Sequence, residues 1–501
     1  MPTLRSILIR ILVSASLLII CDETLLAARS GYGEGDWVSF GAAKIITSIA
    51  FDNSAVYFAT REAGILRFDR YSERWRDPLT TSDGLPSNNI NRIAYDQDQN
   101  ELWLETDGGV GVYEPTFQRY LPGGIFPSNL ERRKSEDFNP GSLFMEFGYT
   151  YFPGYVLDPQ ARRYYMTTVV TDDRYRAWMG FNGLGAAMLN TRSSDLLLLR
   201  SGPFTSDLRA VVSDGDQLYT GGYPEAGQRS GMAILKFNNS EWAYYEAPFT
   251  MGLQDGRVNC AAVGKNMVWL GTPSGLVQFD VKNEKFKTFT VFNGLLSNYI
   301  SAVAVDREFV WVGSDNGINL IRLGSDRGDS LMASMIPRDQ SFIGLSVYDI
   351  EIDDKFIYLG TADGLFYRVR SGEIWQSYNP TTIGGSRDIT AILSTPNGLW
   401  LGHSEEIVYF NPKDEVRTGY TPPGLANAII NDLINYKDKI FAATDNGLAA
   451  IDPIKGTSRL FGEDDGLSNA QVFSIAIQRE YLWLATRAGL TRVYIPALRI
   501  Y

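Results

Sequence analysis

The sequence predicts an all-β fold, a β-propeller of four-stranded antiparallel blades, with about ten blades and a ring closed by an N-terminal strand. Three observations lead there. One strand–turn–strand phrase recurs along the chain, its spacing is near that of a propeller blade, and its two ends complement each other. The phrase is clearest as VWLGTPSGLVQFD at 268–280: an alternating apolar strand, a small residue and Thr, a Gly-Leu turn, and a second alternating strand. It returns as YFATREAGILRFD ending at Asp69, VWVGSDNGINLI from Val310, IYLGTADGLFYRV from Ile357, IFAATDNGLAAID from Ile440 and LWLATRAGLTRV from Leu482. Worn copies begin at Leu102, Ala177, Leu218 and Leu399.

The N-terminus reads as an export signal at 1–30. Arg5 and Arg10 precede or open an apolar stretch at 11–20, which suits a signal and is too short to span a bilayer. Ala28-Arg29-Ser30 places small residues for cleavage before Gly31. The alternative is lipid attachment at Cys21, although Ile20 before it fits that processing poorly. The propeller then occupies 31–501. Trp37-Val38-Ser39-Phe40 is a spare strand ahead of the first unit, while the last unit stops at Ile500-Tyr501, where its fourth strand is due. Pairing these two ends would close the ring and hide a sheet edge.

The small residue that ends the second strand falls at Ala59, Glu105, Gly180, Gly221, Gly271, Gly313, Gly360, Gly402, Ala443 and Ala485. Successive positions lie 41 to 50 residues apart, except for 75 between Glu105 and Gly180. That gap marks an insertion at about 121–160, rich in aromatics: Phe144, Phe147, Tyr149, Tyr151, Phe152 and Tyr155. The insertion reads either as a packed hairpin over one side of a blade or as an aromatic binding surface at the mouth of the ring. First strands are apolar, as at 300–305, and fourth strands carry aromatic pairs, as at 242–245, 286–289 and 375–378. With no linker between repeats, a single ten-bladed ring is the expectation, with two smaller propellers as the alternative.

Composition bounds the partners. The 501 residues carry a net charge of −12, and the longest basic run is Arg132-Arg133-Lys134, which argues against nucleic acid as the main partner. No integral membrane span follows the signal segment. After its removal Cys260 would be the only cysteine, so no internal disulfide forms and Cys260 reads as a buried small hydrophobe.

The loop before each first strand is also patterned: DGLPSNNI at 83–90, NGLLSNYI at 293–300, GLANAII at 424–430 and DGLSNAQV at 465–472. Together with the Leu-Trp-Leu-Gly-Thr strand and Gly-Leu turn, this resembles the two-component regulator propeller repeat, over most of 45–501. The resemblance implies an exported bacterial propeller, in the periplasm or on the cell surface. Such repeats occur in sensor portions of hybrid histidine kinases and in stand-alone envelope propellers. No kinase segment follows the last repeat, so the stand-alone kind is expected, with a separate membrane sensor partner as one possibility.

Little of the sequence suggests catalysis. His403, the single histidine, replaces the Thr of the phrase and is followed by Glu405 and Glu406. These three form the alternative catalytic centre of a propeller-type lyase or hydrolase with a pocket at the ring mouth. Asp96, Asp98, Asn100 and Asp107 faintly resemble a calcium loop, but Glu101 stands where its Gly is needed. No metal site, cofactor motif or phosphate loop is present in the sequence. The expected function is therefore non-enzymatic: an exported propeller that binds an envelope protein or glycan.

Overall fold

The computed structural model describes Tyr32 and residues 35–500, apart from 118, 132–139, 226–228, 324–332, 336–341, 379–386, 405, 412–415, 421–423 and 426–427. The signal segment at 1–30, with Cys21, and Glu405 lie outside the described residues. Regular structure among the described residues is β-strand with a few short 3-10 turns.

Ten antiparallel sheets form, nine of four strands and one of six. In chain order, blade 1 spans 46–79, blade 2 spans 90–122, blade 3 spans 150–199 and blade 4 spans 207–247. Blades 5 to 9 span 260–289, 300–335, 347–378, 391–420 and 430–461. Blade 10 holds three strands at 472–494 and the N-terminal strand Trp37–Phe40, which pairs antiparallel to Gly489–Tyr494 with Trp37 opposite Val493 and Phe40 opposite Leu490. Closure by the N-terminal strand is therefore as the sequence predicts.

The repeated residues have local causes. The Thr or Ser that ends the second strand turns its hydroxyl back onto the hairpin, as Thr272 donates to the Gly275 carbonyl at 2.7 Å and Thr486 to that of Gly489 at 2.9 Å. Gly275 takes φ +138°, and an added Cβ there would stand 2.3 Å from the Phe289 carbonyl, so no other residue fits. The small residue before this Thr faces the next blade. A Cβ on Gly271 would come within 2.4 Å of Cys260 Sγ and 2.9 Å of Ile300 in blade 6.

That contact shows which blade follows which. Gly221 meets Val258, Gly313 meets Val347, Gly360 meets Ile389 and Gly402 meets Ile430. Ala443 shares a core with Val472, and Ala485 of blade 10 shares one with Leu208 of blade 4. Blades 4 to 10 thus form a closed ring of seven. In the remaining three, Gly180 of blade 3 meets Ile46 of blade 1, and Ala59 of blade 1 shares a core with Ile90 of blade 2. These make an arc in the order 3–1–2. A polar side chain at the start of one inner strand repeats the same order: Thr167 donates to the Ile46 carbonyl, Thr47 to Ile90, Ser301 to Val347 and Asn431 to Val472. The single ten-bladed ring expected from the uninterrupted repeats is corrected to a seven-bladed ring and a three-bladed arc. The phrase encodes how a blade meets its successor; it does not encode which blade the successor is.

The insertion occupies the open ends of the arc. Blade 2 has no successor, and its small position is Glu105, which pairs with Arg92. Arg92 also lies 4.4 Å from the ring of Phe126 and 3.5 Å from Glu131, both from the insertion. At the other end, the hairpin Thr150–Phe152 and Tyr155–Leu157 adds two strands to the inner edge of blade 3. Blades 3 and 1 are tied by the buried Asp172 carboxylate, which accepts from Arg70 at 3.0 Å, Arg176 at 3.2 Å and Trp178 at 3.0 Å.

The inner strands of the ring carry acids in the same linking role. Asp349 of blade 7 accepts from the Ile392 amide of blade 8 at 2.6 Å, and Asp432 of blade 9 from the Ile475 amide of blade 10 at 2.8 Å. Burial pushes the Asp349 carboxyl up to about 8, with Asp432 adding a second negative charge; burial likewise raises Asp432 to about 6 and Glu351 to about 7.

Two outcomes follow. Gly271→Ala should lower unfolding free energy by about 1–3 kcal/mol through overpacking against blade 6. Glu105→Ala, facing no successor blade, should change it by less than about 1 kcal/mol; equal losses in denaturant titrations would remove the successor rule. Asp349 has a folded pKa above its unfolded value of about 3.9, so its contribution is most favourable at low pH and declines as pH rises from about 4 through 8. Asp349→Asn should flatten the fall in melting temperature between about pH 5 and pH 8; a wild-type slope in the variant would contradict this.

Candidate binding site

The chain crosses between ring and arc twice, at 41–45 and at 200–206, and a cleft of ≈ 280 Å³ opens beside the first crossing. Its walls come from the first crossing, the middle hairpin of blade 1, the inner strand and middle hairpin of blade 3, and blade 4. Among the described residues five cations line it, Lys44, Arg61, Arg162, Arg163 and Arg229, with one acidic residue, Glu62. On a chain of charge −12 this is a local reversal of sign.

The cations differ in role. Arg162 and Arg229 are structural. Glu246 accepts from Arg162 at 2.6 Å and from Arg229 at 2.7 Å, and Asp158 from Arg162 at 2.6 Å. Glu246 thus joins blade 3 to blade 4. Lys44 is half-buried; burial and then the Arg229 charge lower its pKa, against the opposing pull of Glu62, Glu225 and Glu246. Arg61 and Arg163 are exposed and form no ion pair with a described residue. Tyr164, whose hydroxyl donates to Asp158 at 2.9 Å, and Asn182 complete the polar wall.

The aromatic insertion borders this cleft. The Arg163 guanidinium lies 5.4 Å from the Tyr155 ring, Tyr155 stacks on Phe152 at 5.1 Å, and Tyr165 lies 5.8 Å from Tyr155. Phe152 and Tyr165 are exposed, so a row of ring faces runs outward from the cationic mouth. The six predicted aromatics divide. Phe144 is fully buried against Phe181, and Tyr149 and Tyr151 pack beside it in the core of blade 3. Phe147 is exposed, and Phe152 and Tyr155 form the outward stack.

The alternative centre sits elsewhere. His403 is wholly buried in blade 8, across the ring from blade 4, at a position that Thr or Ser fills in seven other blades. Its amide donates to the Glu406 carbonyl at 3.0 Å and its carbonyl accepts from Ile430. Cys260 is enclosed, and burial pushes its thiol up to about 12. Among the described residues no three His, Cys, Asp or Glu side chains converge as a metal site, and no helix is long and apolar enough to cross a membrane. The cationic cleft had no sequence signature, because its residues are scattered over nearly two hundred positions and meet only where blades 1, 3 and 4 converge.

No protein-family model and no curated protein matches the chain. Solved structures do. PorZ, described as an essential bacterial surface component of the type-IX secretion system of Porphyromonas gingivalis, aligns with TM-score 0.57 at 12% identity, over 92% of this chain and 87% of its own. The extracellular domains of two hybrid two component systems of B. thetaiotaomicron align at 14% identity, with TM-scores of 0.49 and 0.48, over 90% and 89% of this chain and 70% and 68% of theirs. At these identities the likeness is one of fold.

Proposed function

We propose that this chain is an exported, non-enzymatic binding propeller of the bacterial envelope, built from repeats of the two-component regulator type, and that its ligand is an acidic glycan. The observation that carries this reading is the junction of a cationic cleft with an outward row of aromatic faces. A carboxylate or sulfate matches the exposed guanidinium groups of Arg61 and Arg163, which can bond it through two parallel donors. Sugar rings present apolar C–H faces, and the exposed rings of Phe152 and Tyr165, braced by Tyr155, offer flat surfaces for them. The burial of the one histidine inside a repeat position supports binding over turnover. The export signal in the sequence supports the envelope setting, and a separate membrane sensor could read the bound state.

The test is calorimetric titration with oligouronates and with neutral oligosaccharides of equal length. Acidic oligomers should bind and neutral ones should not. Arg61→Ala and Arg163→Ala should each weaken binding about tenfold, equivalent to about 1.4 kcal/mol, with melting temperature unchanged. Equal affinity for neutral and acidic oligomers, or full binding by both variants, would overturn the assignment.

A further inference from the structure

In each blade the strands alternate in direction, so the turn between second and third strands and the link to the next blade emerge on one face of the ring. On blades 4 to 6 that face carries a group of exposed apolar residues. Phe292 is 96% exposed and Met251 91%, and Phe249, Val291, Tyr299 and Ile343 are exposed beside them. The segments that carry them, 248–254, 290–299 and 342–348, contain no charged residue, while Asp255, Arg257 and Asp315 stand beside them on the same face.

The turn at 291–293 shows that this character is not a demand of the fold. The same 3-10 turn, with a left-handed or near-left-handed Gly after it, recurs at Thr81–Asp83 and Glu463–Asp465. There the position of Phe292 is held by Ser82 and Asp464. Phe292 is also held rigidly: the Thr290 side chain accepts from the Phe292 amide, and Asn298 accepts from Val291 at 2.9 Å. The loops are linked into one surface. Thr288 donates to the Gly252 carbonyl at 2.6 Å, Asn316 donates to the Leu296 carbonyl at 3.2 Å, and the Gly344 amide donates to Asn316 at 3.1 Å.

We infer that this face is the interface between two copies of the chain, related by a two-fold axis. The exposed apolar area selects a second copy. At side-chain areas of about 200 Å² each, the six residues expose on the order of 700 Å², more than the largest apolar patch of an ordinary monomer, about 300–600 Å², and close to the roughly 800 Å² that each partner contributes to a stable interface. The interface lies beside the cleft, because the Arg162 guanidinium stands 5.3 Å from the Phe249 ring.

Sedimentation velocity on the purified protein tests this independently of any ligand. At about 10 µM, where interfaces of this size are populated, the wild type should sediment at twice the 55.8 kDa of the chain, less its signal segment if cleaved. Phe292→Asp and Met251→Asp should each raise the dissociation constant at least tenfold while melting at the wild-type temperature. Ile454→Asp, at an exposed site on the opposite face, should remain dimeric. A wild type that stays monomeric to roughly 100 µM, dimers unaffected by Phe292→Asp, or dimers broken by Ile454→Asp would each overturn the inference.

Discussion

The contact between one small residue and the leading apolar residue of the next blade organises this protein. Each sheet presents a flat, tightly pleated face, and two such faces approach closely only where no side chain stands between them. Gly180, Gly221, Gly271, Gly313 and Gly402 supply that absence, and Ile46, Val258, Ile300, Val347 and Ile430 fill it from the neighbouring blade. Ala59, Ala443 and Ala485 do the same with one methyl group. The stabilisation is apolar burial, and the polar groups exposed by strand ends are satisfied across the same seam by Thr47, Thr167, Ser301 and Asn431. Among the described residues Cys260 is the one cysteine, so no disulfide braces them and packing of this kind supplies the stability of the fold.

The seam also explains the departures from the repeat. Glu105 is the position where the rule fails, and blade 2 is the blade without a successor. A charged pair stands where a methyl group or nothing would otherwise be, and the insertion supplies Phe126 over it. At the other end Phe144 and a two-stranded hairpin extend and cover blade 3. Incomplete repeat arrays need caps at their ends to keep apolar faces from water, and here one insertion caps both. The junction of arc and ring then places arginines from blades 3 and 4 around Glu246, and the cleft beside them keeps two further arginines exposed.

Much of this was legible beforehand. The four-strand blade, the turn chemistry, the role of Trp37–Phe40 and the place of the insertion each depend on residues close in sequence or on a pattern repeated many times. Such features are encoded locally. Cys260, expected to be buried, is partly buried against the core that Trp269 and Ile300 share. The aromatic insertion was read as one set, whereas Phe144, Tyr149 and Tyr151 turn inward while Phe147 and Phe152 turn outward. That division depends on the pleat of a hairpin whose register is fixed only by its pairing with the inner strand of blade 3.

The sequence by itself determined the blade, because the blade is a short-range object: alternation, a Gly-Leu turn and a small residue specify it each time. It also determined that the ends meet, because a missing fourth strand and a spare one are complementary. The tertiary structure decided how many blades share a ring and where the cations gather. Both depend on which faces meet, and every blade offers its successor nearly the same face. Ring size was therefore set by packing geometry and by two chain crossings that carry no motif. Lys44, Arg61, Arg163 and Arg229 are ordinary surface residues in sequence; only the meeting of blades 1, 3 and 4 makes them one site.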